Sequence, residues 1–150
     1  MNKTILYFLI FFITIFIIGC TVEKLEEKES NDSFEKSFVL PVDGLITNAS
    51  IESVIDVDYY RFPIKANISY YIKLEWYKKD KMNLEGIIYD KDKKKMKEIY
   101  KFSSDDNSSD KTFYYSSFYN NLSQDCYIKI YDYNGTGTGS YEISIREANR

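Results

Sequence analysis

Two cysteines and a complete lack of histidine decide which chemistry this 150-residue chain can perform. Without histidine the chain cannot carry out Ser-His-Asp or Cys-His catalysis, and it cannot form a histidine-ligated zinc site. Cys126 lies in a run in which polar and apolar residues alternate, so we expect a buried strand thiol of low reactivity. Cys20 stands instead at the end of a long apolar segment, and covalent chemistry is expected there.

Residues 1–19 have the pattern of a secretory signal peptide. A basic start at Lys3 is followed by an almost unbroken apolar stretch over residues 5–18, which is too short for a comfortable membrane span. The closing Ile-Ile-Gly-Cys20 resembles the lipobox of bacterial lipoproteins. That resemblance implies cleavage before Cys20 and a diacylglyceryl group on its thiol. The alternative is an uncleaved anchor helix that ends in Gly-Cys.

Lipidation at Cys20 predicts a location in the bacterial cell envelope. A protein that carries two or more acyl chains stays on a membrane stably, whereas one chain holds it only marginally. Thr21 follows the cysteine where an aspartate would resemble an inner-membrane retention signal, so release to the outer membrane or cell surface is permitted. The membrane is thus an expected partner, reached through the lipid anchor. Nucleic acid is not expected, because the net charge of −3 provides no basic footprint.

The mature chain divides into a linker at residues 20–33 and one domain at residues 34–150. The linker has few sizeable apolar side chains, so burial cannot order it, and we expect a tether. The remainder contains short runs rich in Tyr, Ile, Phe and Val between Asn, Asp, Ser and Gly, which predicts an all-β sandwich. The predicted strands are 37–42, 45–48, 58–64, 68–76, 84–90, 96–102, 111–118, 125–133 and 139–146.

The alternation of polar and apolar residues assigns faces to the last two strands. Apolar residues at every second position indicate that one face meets the core and the other meets water. The predicted core positions there are Ile128, Ile130, Tyr141, Ile143 and Ile145. Between these strands, the glycine-rich residues 134–139 predict a hairpin connection.

Three sequence islands occur in order along the chain. They are Glu-Ser-Asn-Asp-Ser-Phe at 29–34, Asp-Val-Asp-Tyr-Tyr-Arg-Phe at 56–62, and residues 127–131 with 137–143. Together they resemble the bacterial pre-peptidase C-terminal domain, a family that includes the collagen-binding domains of clostridial collagenases. The resemblance covers roughly residues 27–146. It implies an antiparallel, jelly-roll-like β-sandwich with no catalytic activity of its own.

The same resemblance implies a calcium site. Calcium-binding members of the family hold the ion between the linker before the first strand and an acidic loop before a central strand. The matching positions here are Glu27, Glu29, Asn31, Asp32 and Asp58, with Asp56 as an additional carboxylate. Calcium takes about six to eight oxygen ligands, and carboxylates and carbonyls supply them. Two alternatives are that these acids form only a solvated linker and a turn, or that the acidic residues 105–110 are the loop of interest.

Adjacent aromatic pairs suggest a second kind of site. Successive strand residues point to opposite faces, so one member of each pair should face outward. Tyr71, Tyr77 and Tyr115 are the predicted outward members, and exposed tyrosines form flat amphipathic contact surfaces. The expected ligand is an extracellular-matrix protein, a peptide or a glycan. Alternatively the tyrosines only pack across a solvated sheet face.

These observations predict a noncatalytic lipoprotein. Its calcium-stabilised β-sandwich is tethered to a membrane and holds a protein or glycan. The alternative function is that of a structural accessory protein of the envelope with no small ligand of its own.

Overall fold

The computed structural model of the protein describes residues 23–99 and 110–148. Cys20, the predicted signal peptide and the acidic residues 105–109 lie outside these ranges. The strands are β1 (Lys24–Glu26), β2 (Phe38–Val39), β3 (Leu45–Ile51), β4 (Val57–Ile64), β5 (Ile68–Tyr77), β6 (Leu84–Tyr89), β7 (Lys95–Ile99), β8 (Lys111–Asn120), β9 (Gln124–Asp132) and β10 (Gly139–Glu147). Short 3-10 helices occur at Phe34–Lys36 and Lys78–Asp80. Within the described ranges, no helix combines the length and apolar content that crossing a membrane requires.

The strands form two five-stranded sheets that face each other across one core. We call the sheet with strand order β1-β3-β10-β5-β8 the front sheet, and the sheet with order β2-β4-β9-β6-β7 the back sheet. The order β3-β10-β5-β8 opposite β4-β9-β6-β7 is that of a jelly roll. Neighbouring strands are antiparallel except β1 with β3 and β2 with β4, which pair in parallel. The predicted all-β sandwich is confirmed, but the edge strands β1 and β2 pair in parallel, whereas the resemblance implied an antiparallel sandwich.

The core contains the residues that alternation assigned to it. The predicted core positions on β9 and β10 are all at most 2% exposed. Cys126 is buried among them on β9, and burial raises the pKa of its thiol to about 12. A thiol with that pKa is protonated at neutral pH, which agrees with its expected low reactivity.

Strand β1 differs from the predicted tether. Lys24 to Glu26 pair in parallel register with Leu45 to Thr47 of β3, so the sandwich begins ten residues before the predicted boundary at residue 34. These residues are ordered by backbone hydrogen bonds to the edge of the sheet. The small number of apolar side chains in the linker gives no information about such bonds. The 3-10 helix that follows then places the Phe34 ring on the back sheet, beside Tyr59 at 4.6 Å between centroids.

Strand β3 is longer than predicted because it contains a bulge. The partner of Tyr141 on β3 is Ala49, whereas the partner of Ile143 is Ile46, so β3 holds one extra residue. Asn48 lies at that point with a φ of 60°, a left-handed conformation that asparagine tolerates. The sequence indicated a strand end at Asn48, and the structure continues β3 to Ile51.

The connection at residues 133–138 is a crossover and not the predicted hairpin. Strand β9 belongs to the back sheet and β10 to the front sheet, so the chain passes from one layer to the other. Asp132 at the end of β9 holds this loop, because its carboxylate accepts the backbone N–H groups of Thr136 and Gly137, each at 2.8 Å. Glycines in a loop permit a tight turn, but they do not specify which sheet the next strand joins.

Candidate functional site

Three carboxylates meet at the end of the sandwich where β1 and β3 finish and β4 begins. One oxygen from each of Glu27, Glu29 and Asp58 lies within 4.8 Å of the others. Glu27 and Glu29 belong to the segment that follows β1, and Asp58 is the second residue of β4. We call these three residues the acid cluster. The segment after β1 and the beginning of β4 are therefore brought together. The family resemblance placed the two glutamates in a linker before the first strand, whereas here strand β1 precedes them.

Glu27 is fixed by contacts from both sides. Its Oε2 accepts the backbone N–H of Ser50 at 2.9 Å, just beyond the β3 bulge. Its Oε1 accepts the Asn31 side-chain amide at 2.8 Å. The backbone carbonyl of Asn31 in turn accepts the Tyr59 backbone N–H at 2.8 Å, which ties the segment to β4. Strand β1, the bulge and β4 together hold the first carboxylate in place.

Two buried tyrosines connect Glu27 to Asp58. The Tyr60 hydroxyl donates to Glu27 Oε1, and the Tyr60 and Tyr141 oxygens are 2.6 Å apart. The Tyr141 oxygen lies 2.5 Å from Asp58 Oδ2. This row of oxygens makes three contacts, but two hydroxyls supply only two protons. The metal-free row therefore needs a third proton on a carboxyl group.

The pKa values of the acid cluster agree with that proton count. Burial, followed by the charge of Glu27, raises the pKa of Asp58 to about 8. Desolvation, with the nearby Glu27 charge as the next cause, raises the pKa of Glu29 to about 7. Like charges at close range disfavour the ionised forms, and Glu27 and Asp56 raise the pKa of both groups.

Two buried oxygens at this site lack hydrogen-bond partners. They are Asn31 Oδ1 and Asp58 Oδ1, and no other buried side-chain polar atom of the described residues is in this position. Both residues contact the acid cluster or belong to it. A buried acceptor without a partner costs free energy, and an ion coordinated by such oxygens removes that cost. The donor set consists of oxygen atoms, as calcium prefers, so the residues present fit the ion that the resemblance implied.

Of the three predicted ligands outside the acid cluster, Asn31 contacts it and the other two have different partners. Asp32 is exposed and forms an ion pair with Lys36 at 3.1 Å. Asp56 accepts the Glu52 backbone N–H at 2.7 Å and so closes the turn between β3 and β4. Its charge still contributes to the raised pKa of Glu29, which places it at the rim of the site.

Sequence reasoning did not identify Tyr60 and Tyr141 as parts of this site. Alternation assigns Tyr141 to the core as an apolar residue and indicates no role for Tyr60. A signal was present on β4, where Asp58 occupies an inward position in the same alternation as Tyr60 and Phe62. A carboxylate at a core position needs partners, and the nearest hydroxyls of the core supply them.

The three predicted outward tyrosines are exposed on the front sheet. Tyr71, Tyr77 and Tyr115 are 49%, 43% and 49% exposed, respectively. They lie on β5 and β8 of the front sheet. Tyrosines of the back sheet behave differently, since the Phe34 ring packs against Tyr59, Tyr89 and Tyr127 at 4.6–5.4 Å between centroids. Phe34 thus packs on three tyrosines of the back sheet. On the front sheet Tyr115 contacts Phe113 at 5.4 Å between centroids and is still half exposed.

No family model and no curated protein matches the chain. Among solved structures, it is similar to the pre-peptidase C-terminal domain of a collagenase from Bacillus anthracis, with 14% identity, a TM-score of 0.46, and coverage of 73% of this chain and 93% of that one. It is also similar to a periplasmic inhibitor of g-type lysozyme from Aeromonas hydrophila, with 13% identity, a TM-score of 0.47, and coverage of 72% and 96%, respectively.

Proposed function

We propose that this protein is a noncatalytic, lipid-tethered protein of the bacterial cell envelope. Its β-sandwich binds calcium at the acid cluster and holds a protein or glycan on the outer face of the front sheet. The observation that carries the proposal is the pair of buried, unpartnered oxygens of Asn31 and Asp58 beside three carboxylates. A purely structural cluster would be expected to satisfy those oxygens within the protein.

Calcium is the divalent ion that suits this donor set best. Glu27, Glu29 and Asp58 supply carboxylate oxygens, and Asn31 Oδ1 supplies a neutral one. Zinc favours histidine and cysteine ligands, which the described part of the site does not contain. Magnesium requires a small octahedral shell and keeps several waters, so a partly buried set of protein oxygens suits it poorly. When bound, the ion neutralises the like charges of the cluster and links the β1 segment to β4.

Replacing Glu27 by glutamine should weaken calcium binding by at least about tenfold. The substitution removes the charge that stands at the centre of the site's hydrogen bonds and retains the side-chain shape. Isothermal titration with Ca²⁺ measures the effect, and Mg²⁺ serves as the comparison ion. Glu26→Gln is the matched control. Glu26 is the neighbouring residue and is exposed on β1, and its substitution removes the same charge. Equal calcium affinities for the two variants would contradict the proposed site.

Lipidation at Cys20 should make the protein enter the detergent phase on Triton X-114 partition. Cys20→Ala should leave an unprocessed precursor that incorporates no radiolabelled palmitate, because the acylated thiol is then absent. Replacing the buried Cys126 by serine should leave the labelling intact, and this variant controls for the loss of a cysteine. A mature N-terminus at another residue, without label in the wild type, would disprove the tether.

A structural accessory role is the second candidate. The packing of Phe34 over the tyrosines of the back sheet favours it, since aromatic residues there serve the fold. Ligand binding by the front sheet distinguishes the two candidate functions. Retention of matrix proteins or glycans by the purified protein, and its loss in Tyr71→Ala, would support the binding function.

A further inference from the structure

We propose that a groove on the front sheet binds a carboxylated sugar unit of an acidic polysaccharide. The groove has a volume of about 160 Å³. It is lined by Tyr71, Lys73, Tyr115, Ser144 and Arg146. This inference rests on the binding function proposed above, and it specifies the chemical class of the ligand.

Strand register brings the lining residues into two adjacent rows. Arg146 of β10 lies opposite Tyr71 of β5. In the next row, Lys73 of β5 lies between Ser144 of β10 and Tyr115 of β8. All of them project from the outer face, because their neighbours Ile72, Tyr114 and Ile145 are buried. The groove is thus built on two central strands, β10 and β5, and on the edge strand β8.

Of the two cationic side chains that line the groove, one has no ion pair among the described residues. Lys73 is paired with Glu75, and Lys111 contacts the other oxygen of the same carboxylate at 2.7 Å. Lys111 also lies 3.7 Å from Glu142. Arg146 has no ion pair among the described residues, although it is exposed at the edge of the groove. A guanidinium group presents two parallel N–H donors that match a carboxylate, so an anionic group is the complement of this site.

The other residues that line the groove favour a sugar over an apolar side chain of a protein partner. Tyr71 and Tyr115 are each 49% exposed, and neither hydroxyl has a hydrogen-bond partner within the described ranges. Ser144 adds a third hydroxyl to the same groove. A pyranose ring offers hydroxyls to such groups and an apolar C–H face to an aromatic ring. Protein partners anchor through side chains that enter deep desolvated pockets, whereas this groove is small and is lined by three hydroxyls and two cationic groups.

The test uses the full chain purified in detergent, at constant calcium and ionic strength. The probes are defined hexasaccharides of hyaluronan, polygalacturonate and alginate, which present uronates in three geometries. Each has a carboxyl-reduced counterpart that is otherwise identical. Binding is measured by isothermal titration. We expect at least one carboxylated probe to bind, its reduced counterpart to bind at least about tenfold more weakly, and Arg146→Ala to produce a similar loss.

Two further variants distinguish an effect of the groove from a general effect of charge and from misfolding. Arg61→Ala removes an exposed arginine from the outer face of the back sheet and should leave binding unchanged. Tyr115→Phe removes only a hydroxyl and should weaken binding without changing the melting temperature, which keeps the test valid if Arg146→Ala unfolds.

Several results would overturn the inference. One is equal binding of a carboxylated probe and its reduced counterpart, and another is equal effects of Arg61→Ala and Arg146→Ala. Arg146-dependent binding of a polyglutamate peptide, with no binding of any saccharide, would assign the groove to acidic peptides instead. Failure of every uronate probe while calcium still binds would refute the sugar site and leave the metal site standing. Failure of Glu27→Gln to affect calcium would count against the proposed metal site alone.

Discussion

The calcium-free protein should lose stability as the pH rises from 5 to 8, and saturating calcium should abolish that loss. The cause is the proton that the row from Glu27 to Asp58 requires when no cation is present. Asp58 has a pKa of about 8 in the folded protein against an ordinary value of 3.8. The folded state therefore binds more protons than the unfolded state throughout this range.

The sign of this effect follows from linkage. A group whose pKa is higher in the folded state contributes stability that is complete below its unfolded pKa and is lost as the pH rises through the folded pKa. For Asp58 that window runs from about 4 to about 8. One proton held over three pH units corresponds to on the order of 2–4 kcal/mol. With calcium bound, the carboxylates are ionised and paired with the cation, so the loss should disappear.

Urea denaturation at pH 5, 6, 7 and 8, with chelator and with millimolar Ca²⁺, measures the effect. Asp58→Asn should flatten the pH dependence of the calcium-free protein, because a neutral amide replaces the carboxyl that must hold the proton. The same variant should lose most of its response to calcium. Asp125→Asn, an exposed residue on β9, serves as the control and should retain the pH dependence of the wild type. An equal slope in wild type and Asp58→Asn would refute the explanation.

Ile143→Ala should lower the free energy of unfolding by about 2–5 kcal/mol. Ile143 is fully buried on β10, in the middle of the front sheet. Its register partners are Leu74 on β5 and Ile46 on β3, and both are fully buried as well. Truncation removes apolar contacts and leaves a cavity that two hydrogen-bonded neighbours cannot move to fill.

The adjacent residue provides the control for this truncation. Glu142 lies on the outer face of the same strand, so Glu142→Ala should change stability by no more than about 0.5 kcal/mol. Both values come from urea denaturation at one pH with calcium held constant. Because neighbouring strand residues face opposite sides, similar losses for the two variants would contradict the position of Ile143 in the core.

The long strands could be predicted because their signal is local. Alternation in residues 139–146 assigned Ile143 to the core without knowledge of its partners, and the structure confirms it. The missed features depend on contacts distant in the sequence. Strand β1 is ordered by the edge of β3, and the chain after β9 changes sheets although its glycines resemble a hairpin. Local composition does not encode these choices.

The site was predictable only in part for a related reason. The family resemblance placed Glu27, Glu29 and Asp58 in one site, and the structure brings these three together. The contact between Tyr60 and Tyr141, which connects Glu27 to Asp58, could not be predicted from the sequence, because it joins β4 to β10 through residues 81 positions apart. Such a contact exists only once the two sheets face each other.

The parallel pairing of β1 determines how the domain would carry mechanical force. A pull on the N-terminal side of Lys24, with the front sheet held by a ligand, acts along the axis of β1. The three paired residues of β1 then share the load in shear, whereas an unzipping pull would break their hydrogen bonds one at a time. Glu27 lies immediately beyond the far end of this strand, with its contacts to Ser50, Asn31 and Tyr60. The contacts of the acid cluster therefore oppose the detachment of β1 from the sheet, and an ion held there would raise the force needed to detach it.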